Sequence, residues 1–371
     1  MPLFPLMVAL GVLLALGLVE RVARDRGWRA VPIRIHVNGT RGKSTVTRLI
    51  WSALREAGIA AMAKTTGTEP RLLLPDGTER PLQRRAPASI REQLQLLRAA
   101  RRHHARAIVV ECMALDPELQ WVSEHRMVRA TIGVVTNVRP DHVEIMGEGD
   151  ASIAACLANT IPPGGVMVAG DEGVARLLEE RARLLGTRVV AARADDEGDW
   201  LAEDRRTALA VLRELGVPDD VSQRGFGSVP HDPGAVRSGA LRGGPTGRWV
   251  DATAANDPVS LERLVPLAAI EGPVVAVYNH RDDRGPRLRS FLRHPGVVST
   301  AGTLVITGSR PAWTLWRRVR RERGGRETLF VTPGQLAAWL NGHEAPAHLV
   351  FCGNTRGIDV GRLLAEAGRR G

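Results

Sequence analysis

The amino-acid sequence predicts an α/β protein with parallel sheets, divided into two domains, and three observations support this fold class. Short apolar runs alternate with amphipathic helical patterns from residue 31 onward. A glycine-rich loop lies between the first apolar run and the first helical pattern, which is the position of a phosphate-binding loop (P-loop). The chain has 371 residues, and its 44% hydrophobic and 25% charged content is typical of globular proteins.

The first strand and the first helix are predicted from their different periodicities. Residues 31–37 form an apolar run typical of a strand, and residues 44–57 carry apolar side chains at helical spacing. Another helix is expected to begin at Ser89, because Glu92 three residues later completes a capping box. Strands that alternate with helices favour a parallel sheet covered on both faces. Further strands are predicted at 107–110, 130–136, 165–169 and 188–192.

A change of composition divides the chain. Residues 231–247 are rich in Gly, Pro, Ser and Arg, which is typical of a domain junction. We therefore expect a central ATP-binding domain at 21–230 and a smaller carboxyl-terminal α/β domain at 231–371, preceded by a separate segment at 1–20. Strands of the second domain are predicted near 249–251, 274–278, 304–307, 328–331 and 349–352.

The first segment is predicted to be a membrane anchor. Residues 3–19 are uncharged and apolar, and a helix of this length, at about 1.5 Å per residue, is just long enough to cross a bilayer. The arginine-rich stretch 21–29 follows it, and the positive-inside rule places such a stretch in the cytoplasm. We expect a single-pass protein of the cell membrane with cytoplasmic catalytic domains. A buried or interfacial helix is the alternative.

The net charge of +11 predicts an acidic partner. Nucleic acid is not expected as a partner, because the chain has only 5 Phe and 1 Tyr and no basic run interleaved with aromatic residues. Only two of the 51 basic residues are lysines, Lys43 and Lys64, and a lysine in such a sequence is a candidate for a point charge that arginine cannot replace. The three cysteines form no CxxC pair, which excludes a cysteine zinc site.

The glycine-rich loop is the strongest functional signal. Backbone N–H groups of such a turn, together with the amino end of the following helix, favour a polyphosphate. Lys43 is expected to neutralise the terminal phosphates and Ser44 to bind Mg²⁺. Two residues separate Gly39 from Gly42, where the usual P-loop pattern has four. The predicted nucleotide-binding residues of this segment are Asn38, Gly39, Thr40, Arg41, Gly42, Lys43, Ser44 and Thr45.

Further candidates follow two predicted strands, and ligands of open α/β sheets bind at the carboxyl ends of strands. Glu111 ends an apolar run and is a natural Mg²⁺ ligand beside a P-loop; a salt-bridged glutamate is the alternative. After the next strand, Asn137 is predicted to contact the nucleotide and Asp141 to orient its neighbours. The predicted catalytic residues are Lys43, Glu111 and His142, and the predicted metal ligands are Ser44, Glu111 and His142.

A second group of basic and hydroxyl side chains is predicted to bind carboxylate groups of a substrate, because arginine binds carboxylates bidentately. Arginine is so common here that Arg85 and Arg91 are explained equally well as ordinary surface residues. In the second domain, Asn256 and Asp257 are predicted nucleotide contacts, with a helix cap as the alternative. The predicted substrate-binding residues are Lys64, Thr65, Thr66, Arg71, Arg85 and Arg91.

Several long motifs occur in the order of a known family. They are Val-Asn-Gly-Thr-Arg-Gly-Lys-Ser-Thr at 37–45, Thr-Thr-Gly-Thr-Glu-Pro-Arg at 65–71, Val-Glu-Cys-Met-Ala-Leu at 110–115, Thr-Asn-Val-Arg-Pro-Asp-His at 136–142 and Asn-Thr-Ile-Pro at 159–162. The shortened loop, the strand-end Glu and the Asp-His pair resemble the Mur ligase superfamily. The whole set, with the apolar start, more closely resembles the ligase subunits of poly-γ-glutamate synthases (the PgsB/CapB type).

The resemblance implies an ATP-dependent amide ligase with a P-loop central domain and a Rossmann-like carboxyl-terminal domain, which uses ATP and Mg²⁺. It implies that glutamate is added to a poly-γ-glutamate chain through an acyl phosphate, with small membrane subunits of a synthase complex as partners. Many Mur ligases carry a carbamylated lysine shortly after the Asp-His pair. This sequence has Cys156 in that region and no lysine, so a second metal ion would need other ligands.

Two alternative functions remain open. One is another Mur-type amide ligase, which extends folate with glutamates or builds a cell-wall precursor. The apolar start argues against it, because neither of those ligases normally needs a membrane helix. The other is a non-catalytic, nucleotide-dependent membrane module that regulates a transporter or an assembly complex.

Overall fold

The computed structural model describes residues 3–66, 70–82, 84, 88–192, 200–229, 237–241, 247–253, 255, 258–265, 270, 272–342, 348–355 and 357–368. The chain divides into two compact units, Met1–Pro230 (unit 1) and His231–Gly371 (unit 2). In each unit, apolar runs form a mainly parallel sheet and amphipathic stretches form the helices that connect its strands. The predicted α/β fold class with parallel sheets is confirmed.

Unit 1 contains an eight-stranded sheet among its described residues. The strands are β1 (Ile33–Asn38), β2 (Ala61–Lys64), β3 (Arg71–Leu73), β4 (Glu79–Pro81), β5 (Ala107–Glu111), β6 (Ile132–Val135), β7 (Val166–Ala169) and β8 (Arg188–Ala191). The helices are α1 (Leu3–Ala30), α2 (Lys43–Glu56), α3 (Glu92–Arg102), α4 (Pro117–Val122), α5 (Val143–Met146), α6 (Asp150–Leu157), α7 (Glu172–Leu184), α8 (Trp200–Glu214) and α9 (Asp219–Gly227), with a π-helical turn at Ser123–Val128.

The strand order of unit 1 places β1 in the middle of the sheet. The order is β4-β3-β2-β5-β1-β6-β7-β8. The six neighbouring strands β2, β5, β1, β6, β7 and β8 run parallel, and β3 and β4 add an antiparallel edge beside β2. Val37 of β1 is paired with Glu111 of β5, and Asn38 with Val135 of β6. The carboxyl ends of three neighbouring strands therefore meet where the P-loop begins, as expected for a ligand site in such a sheet.

Helix α2 is fixed rigidly under the P-loop because it is buried along most of its length. Val46, Ile50 and Trp51 are fully buried in the main hydrophobic cluster of unit 1, which also contains residues of α8 and α9. The indole Nε1 of Trp51 donates a hydrogen bond to the carbonyl of Ala61 at 3.1 Å, so this large side chain is buried without an unsatisfied polar group.

Unit 2 contains a six-stranded sheet among its described residues, in the order β13-β12-β11-β14-β10-β9. The strands are β9 (Arg237–Ala240), β10 (Arg248–Asp251), β11 (Val274–His280), β12 (Thr303–Gly308), β13 (Glu327–Phe330) and β14 (His348–Cys352). The helices are α10 (Pro258–Leu264), α11 (Gly285–Arg293), α12 (Val297–Thr300), α13 (Trp313–Glu322), α14 (Pro333–Gly342) and α15 (Val360–Glu366). All pairs are parallel except β9–β10.

Helix α1 has two different parts. The side chains of residues 3–19 are exposed, whereas Trp28 near its end is buried and donates a hydrogen bond from Nε1 to the carbonyl of Met127 at 3.0 Å. Among the described residues, no helix combines the length and the apolarity that crossing a membrane requires.

Two details of the predicted fold need correction. The helix start predicted at Ser89 is wrong, because α3 begins at Glu92. One half of the predicted capping box is present, since the backbone N–H of Ser89 donates to Oε1 of Glu92 at 3.4 Å, and the same carboxylate is also paired with Lys64 and Arg84. The sequence analysis also missed β2, β3, β4 and β9. These strands have only three or four residues each, too few for a clear alternating pattern.

A buried ion pair lies beneath the P-loop in the centre of the sheet. His36 of β1 is fully buried, and its Nδ1 lies 2.8 Å from Oε2 of Glu124 in the π-helical turn. Burial disfavours the imidazolium, but the contacts with Cys112 and Glu124 outweigh burial and raise the pKa of His36 to about 10. Glu124 also accepts the backbone N–H of Ala130 at 2.7 Å. The pair therefore fastens β1 to the segment that leads into β6.

We expect Glu124→Gln to lower the free energy of unfolding by about 3 kcal/mol at pH 7, because it leaves a buried imidazolium without its partner. The pKa of His36 is raised above its ordinary 6.5, so the stabilisation is complete below pH 6.5 and is lost as the pH rises through about 10. Urea unfolding at several pH values between 6 and 10 measures both effects. The free energy of unfolding of the variant should depend less on pH than that of the wild type. An equal pH dependence in the two proteins would refute the ion pair of His36 with Glu124.

Candidate active site

The P-loop joins β1 to α2 in a conformation that requires glycine at two positions. Gly39 has φ of 126° and Gly42 has φ of 76°, values at which other residues are strained. At Gly39 a Cβ atom would lie 2.1 Å from Oγ1 of Thr136. The loop therefore fits against the carboxyl end of β6 only when residue 39 has no side chain.

Asn137 holds the loop from the adjacent strand end. Its Oδ1 accepts hydrogen bonds from Oγ1 of Thr40 at 2.7 Å and from the backbone N–H of Arg41 at 3.0 Å. Its Nδ2 donates to the carbonyl of Arg41 at 3.2 Å. The Thr40 hydroxyl in turn accepts the backbone N–H of Arg139 at 3.0 Å. One amide thus fixes both the side chain and the backbone of the loop.

Lys43, at the start of α2, extends over the loop. Its Nζ donates to the carbonyl of Gly39 at 2.7 Å and to that of Thr40 at 3.3 Å. Burial lowers the pKa of Lys43, while the nearby carboxylates of Glu111 and Asp141 act in the opposite direction. A partly desolvated ammonium group among backbone carbonyls gains strongly from an anionic ligand.

Ser44 and Glu111 meet beside the loop. The Ser44 hydroxyl donates to Oε2 of Glu111 at 2.8 Å, and the same oxygen accepts the backbone N–H of Thr66 at 2.7 Å. A hydroxyl and a carboxylate at this separation are hard oxygen donors of the kind that Mg²⁺ prefers, so the residues present fit a magnesium site. Within the described ranges, no group of three or more His, Cys, Asp or Glu residues could hold a metal ion. Ser44 and Glu111 are part of a coordination shell of the kind that phosphate oxygens and water commonly complete.

Asp141 and His142 lie at the same end of the sheet. Oδ2 of Asp141 is 3.3 Å from Nη1 of Arg41, so it is linked to the P-loop. His142 has a positive φ of 45°, and its ring contacts Glu144 at 3.3 Å and Asp141 at 3.9 Å. His142 therefore lies at the edge of the site, where it contacts Asp141, which in turn contacts Arg41 of the P-loop. Its predicted roles as metal ligand and catalytic residue remain predictions.

Asn38 and Thr45 face the interior of unit 1 through their side chains. Asn38 is buried and donates from Nδ2 to Oε1 of Gln120 at 2.8 Å and to Oγ1 of Thr160 at 3.3 Å. Thr45 is hydrogen-bonded to Asp204 of α8. These side chains secure the ends of the loop, which leaves backbone groups for any contact with a nucleotide.

The residues predicted to bind substrate carboxylates are only partly brought together. Thr65 and Thr66 follow β2 beside Glu111, whereas Lys64 is 1% exposed and its Nζ lies 2.9 Å from Oε2 of Glu92. Lys64 is thus the cationic half of a buried ion pair. Arg71 begins β3 and is half-buried, and Arg91 is exposed directly before α3. The predicted residues Arg85, Asn256 and Asp257 lie outside the described residues.

The sequence analysis missed Asp204, a buried carboxyl group behind the P-loop. It is 4% exposed, and its Oδ1 lies 2.0 Å from where a Cβ of Gly42 would be. Burial, reinforced by the adjacent Glu203, raises the pKa of Asp204 well above its usual range. An acidic residue within the otherwise apolar face of α8 was the available signal. A further negative charge close to the loop would oppose phosphate binding, and the raised pKa of Asp204 weakens that opposition.

Two protein-family models match the chain. The model of the Mur ligase middle domain matches residues 37–210, and the model of the poly-gamma-glutamate synthase CapB C-terminal domain matches residues 238–366. The first match includes the P-loop, Glu111 and the Asp-His pair. The second covers nearly all of unit 2.

Curated relatives are similar over most of this chain. The chain is 32% identical over 319 residues to the PGA synthase CapB of Bacillus subtilis, with 82% of this chain and 81% of the relative covered. It is 32% identical over 297 residues to the capsule biosynthesis protein CapB of Bacillus anthracis, with 76% of this chain and 64% of that relative covered. A UDP-N-acetylmuramoylalanine–D-glutamate ligase of Zymomonas mobilis is 26% identical over 335 residues, 78% of this chain and 66% of the ligase.

Solved structures share the fold at low identity. Escherichia coli FolC in complex with ADP has a TM-score of 0.63 at 18% identity, covering 93% of this chain and 90% of that one. A Yersinia pestis bifunctional folylpolyglutamate synthase/dihydrofolate synthase complexed with AMPPNP and Mn has a TM-score of 0.62 at 17% identity, covering 94% and 90%. MurF of Acinetobacter baumannii has a TM-score of 0.62 at 14% identity, covering 92% and 78%. At these identities the similarity establishes the fold alone.

We expect Gly39→Ala to abolish the binding of MgATP, because the added methyl group overlaps Thr136 and forces the loop away from Asn137. Gly58→Ala is the matched control: Gly58 also has a positive φ, of 74°, but a Cβ there meets no atom within 4 Å. The control should lose only about 1 kcal/mol of stability through backbone strain. Fluorescence titration with a labelled ATP analogue, paired with thermal unfolding, compares the two. Equal ATP affinity in both variants would contradict the role of the loop.

Proposed function

The chain belongs to the poly-γ-glutamate synthase CapB family, and we therefore propose that it is an ATP-dependent amide ligase that polymerises glutamate through γ-amide bonds. The observation that supports this reaction best is the meeting of Ser44 and Glu111 beside the P-loop, 2.8 Å apart. With Lys43 over the same loop, it places a cationic group and hard oxygen ligands close together. Phosphoryl transfer from ATP to a carboxylate needs both.

The proposed reaction has two steps. A substrate carboxylate attacks the γ-phosphorus of ATP, and the bond between that phosphorus and the β–γ bridging oxygen breaks, giving an acyl phosphate and ADP. The amine of the incoming glutamate then attacks the acyl carbon, phosphate leaves, and the amine releases a proton to solvent as the amide forms. Phosphorylation is required because a carboxylate oxygen is otherwise a poor leaving group.

The residues of the P-loop bind and orient the terminal phosphates in this proposal. Lys43 exchanges its carbonyl partners for phosphate oxygens, and the loop amides donate to the same group. Ser44 and Glu111 would hold Mg²⁺, which when bound neutralises charge on the phosphates. Thr66, whose N–H fixes Oε2 of Glu111, keeps that carboxylate oriented toward Ser44.

The substrate carboxylate is proposed to enter from the side of Thr65, Thr66, Arg71 and Arg91. Thr65 is buried, and its hydroxyl has no hydrogen-bond partner among the described residues, so a substrate group that reached it would satisfy a buried polar atom. The buried ion pair of Lys64 with Glu92 helps to fix the end of β2, from which Thr65 and Thr66 follow. Cys156 is not proposed to replace the Mur lysine, because burial raises the pKa of its thiol to about 11 and it stays protonated at neutral pH.

We also propose that residues 3–19 attach the enzyme to the cell membrane, with both units on the cytoplasmic side. A continuous exposed apolar surface of this kind commonly marks a membrane contact. The exposed leucines at positions 3, 6, 10, 13, 14, 16 and 18 support this proposal, as does the arginine-rich stretch 21–29 that follows. Small membrane subunits of a synthase complex are proposed as partners on family resemblance alone.

We expect Lys43→Ala to abolish ATP-dependent polymer formation while leaving the fold intact, because the side chain makes only two hydrogen bonds to the loop in the structure. Membranes or purified protein are incubated with ATP, Mg²⁺ and labelled glutamate, and polymer and ADP are both measured. Full activity in the variant would refute the P-loop assignment. Nucleotide binding without any product in the wild type would favour the regulatory module, and label transferred to folate or a cell-wall precursor would favour another Mur-type ligase.

We expect the full chain to stay in the membrane pellet after carbonate extraction and a variant without residues 1–20 to appear in the supernatant. Carbonate removes proteins that are held to a membrane only by surface charge. The fraction of protein that stays in the pellet therefore reports an inserted apolar segment. A full chain released by carbonate would contradict the proposed anchor. Activity of the truncated variant on added glutamate would show that the catalytic residues do not depend on attachment.

A further inference from the structure

Positive charge is concentrated in one segment of unit 2. Between Arg310 and Arg326 the sequence has seven arginines and a single acidic residue, Glu322. Over half of the net charge of +11 of the whole chain therefore lies within this segment. Such a density of like charge is unfavourable in a compact protein unless a polyanion offsets it.

The structure separates the structural arginines of this segment from the exposed ones. Arg323 is buried and donates to the carbonyls of Val298 at 2.8 Å and Ala301 at 2.7 Å. Arg318 is paired with Glu322 at 3.4 Å. Three arginines of α13 remain exposed, and within the described part of the chain no carboxylate pairs with them: Arg317, Arg320 and Arg321.

The neighbouring helix α11 extends this surface. It packs against α13 and carries two more exposed arginines, Arg289 and Arg293, which form no ion pair with any described residue. Each helix buries apolar side chains, and Leu288 and Val319 are fully buried. We name the five exposed side chains the arginine surface: Arg289, Arg293, Arg317, Arg320 and Arg321.

The chemistry of this surface distinguishes between two kinds of anionic partner. A helix that lies in a membrane interface presents an apolar face to the lipid, but on α13 that face is buried and only Trp313 is strongly exposed, at 69%. Guanidinium groups match carboxylates with two parallel hydrogen bonds, as they also match phosphates, so the lack of a broad exposed apolar face is what disfavours the lipid. The exposed chemistry therefore suits a flexible chain of carboxylates better than a lipid surface.

We propose that the arginine surface binds the poly-γ-glutamate chain, so that unit 2 retains the product while the ligase site extends it. The identity of the polyanion rests on the proposed function. Each single arginine–carboxylate contact at an exposed site is weak, but a polymer makes several at once and its binding strengthens with length. A single glutamate gains nothing from this effect and does not compete.

The test compares two triple variants of the full-length protein. Arg317→Gln/Arg320→Gln/Arg321→Gln removes three charges from the arginine surface. Arg98→Gln/Arg101→Gln/Arg102→Gln is the matched control, because these exposed arginines of α3 have the same spacing along a helix and lie in unit 1. Binding of preformed, fluorescently labelled poly-γ-glutamate is measured without ATP, at low and high salt, and binding to phosphatidylglycerol vesicles is measured in parallel.

We expect the first variant to bind long poly-γ-glutamate about ten-fold more weakly than the wild type at low salt, from the summed loss of three exposed ion pairs. The affinity of the control variant for the polymer should change by less than about two-fold. The rate at which the first amide bond forms on a short acceptor should be unchanged in both variants. Equal polymer binding by the two variants would overturn the proposal. Loss of vesicle binding with polymer binding intact would also overturn it, in favour of a lipid contact.

Failure of the wild type to make polymer would refute the proposed function. Polymer binding is measured without ATP, so failure of the arginine surface to bind polymer is distinguished from failure of the enzyme to make it.

Discussion

The three hydrogen bonds between the Asn137 side chain and the P-loop are the constraint on which the rest of the site depends. They join the carboxyl end of β6 to a loop that follows β1, so they hold the glycine-containing turn in one conformation. With the loop fixed, the groups proposed to bind phosphate, which are its amides, Lys43 and Ser44, are held in one arrangement, so a ligand bound there would cost little conformational entropy. The absence of a side chain at Gly39 makes this close approach possible.

The site concentrates buried charge, and its electrostatics determine how it works. The pKa of Lys43 is lowered by burial and that of Asp204 is raised by burial, so both groups prefer their neutral forms more than they do in water. A polyanionic ligand beside the loop would act on Lys43 in the same direction as Glu111 and Asp141 and favour its charged form. Burial of Asp204, which contacts Thr45, weakens the charged form of a carboxylate behind the loop.

The sequence predicted the longer strands and helices and the P-loop itself, because these depend on local patterns, but it missed β2, β3, β4 and β9. Strands β5 to β8 were predicted from apolar runs. The meeting of Ser44 with Glu111 was predicted because each residue lies at or beyond the carboxyl end of a strand. The burial of Lys64 against Glu92 and the inward direction of Asn38 depend on tertiary neighbours that are distant in the chain. Asp204 lies more than 150 positions from the loop that it contacts, and no local pattern connects the two.

The most direct test of the account is the affinity for MgATP when Asn137 is replaced. Isothermal titration calorimetry with Asn137→Ala should give a dissociation constant about ten to a hundred-fold higher than that of the wild type, since three hydrogen bonds that organise the loop are lost. Circular dichroism should show an unchanged fold, because Asn137 lies at the end of the sheet. An affinity equal to that of the wild type in a folded variant would contradict the account.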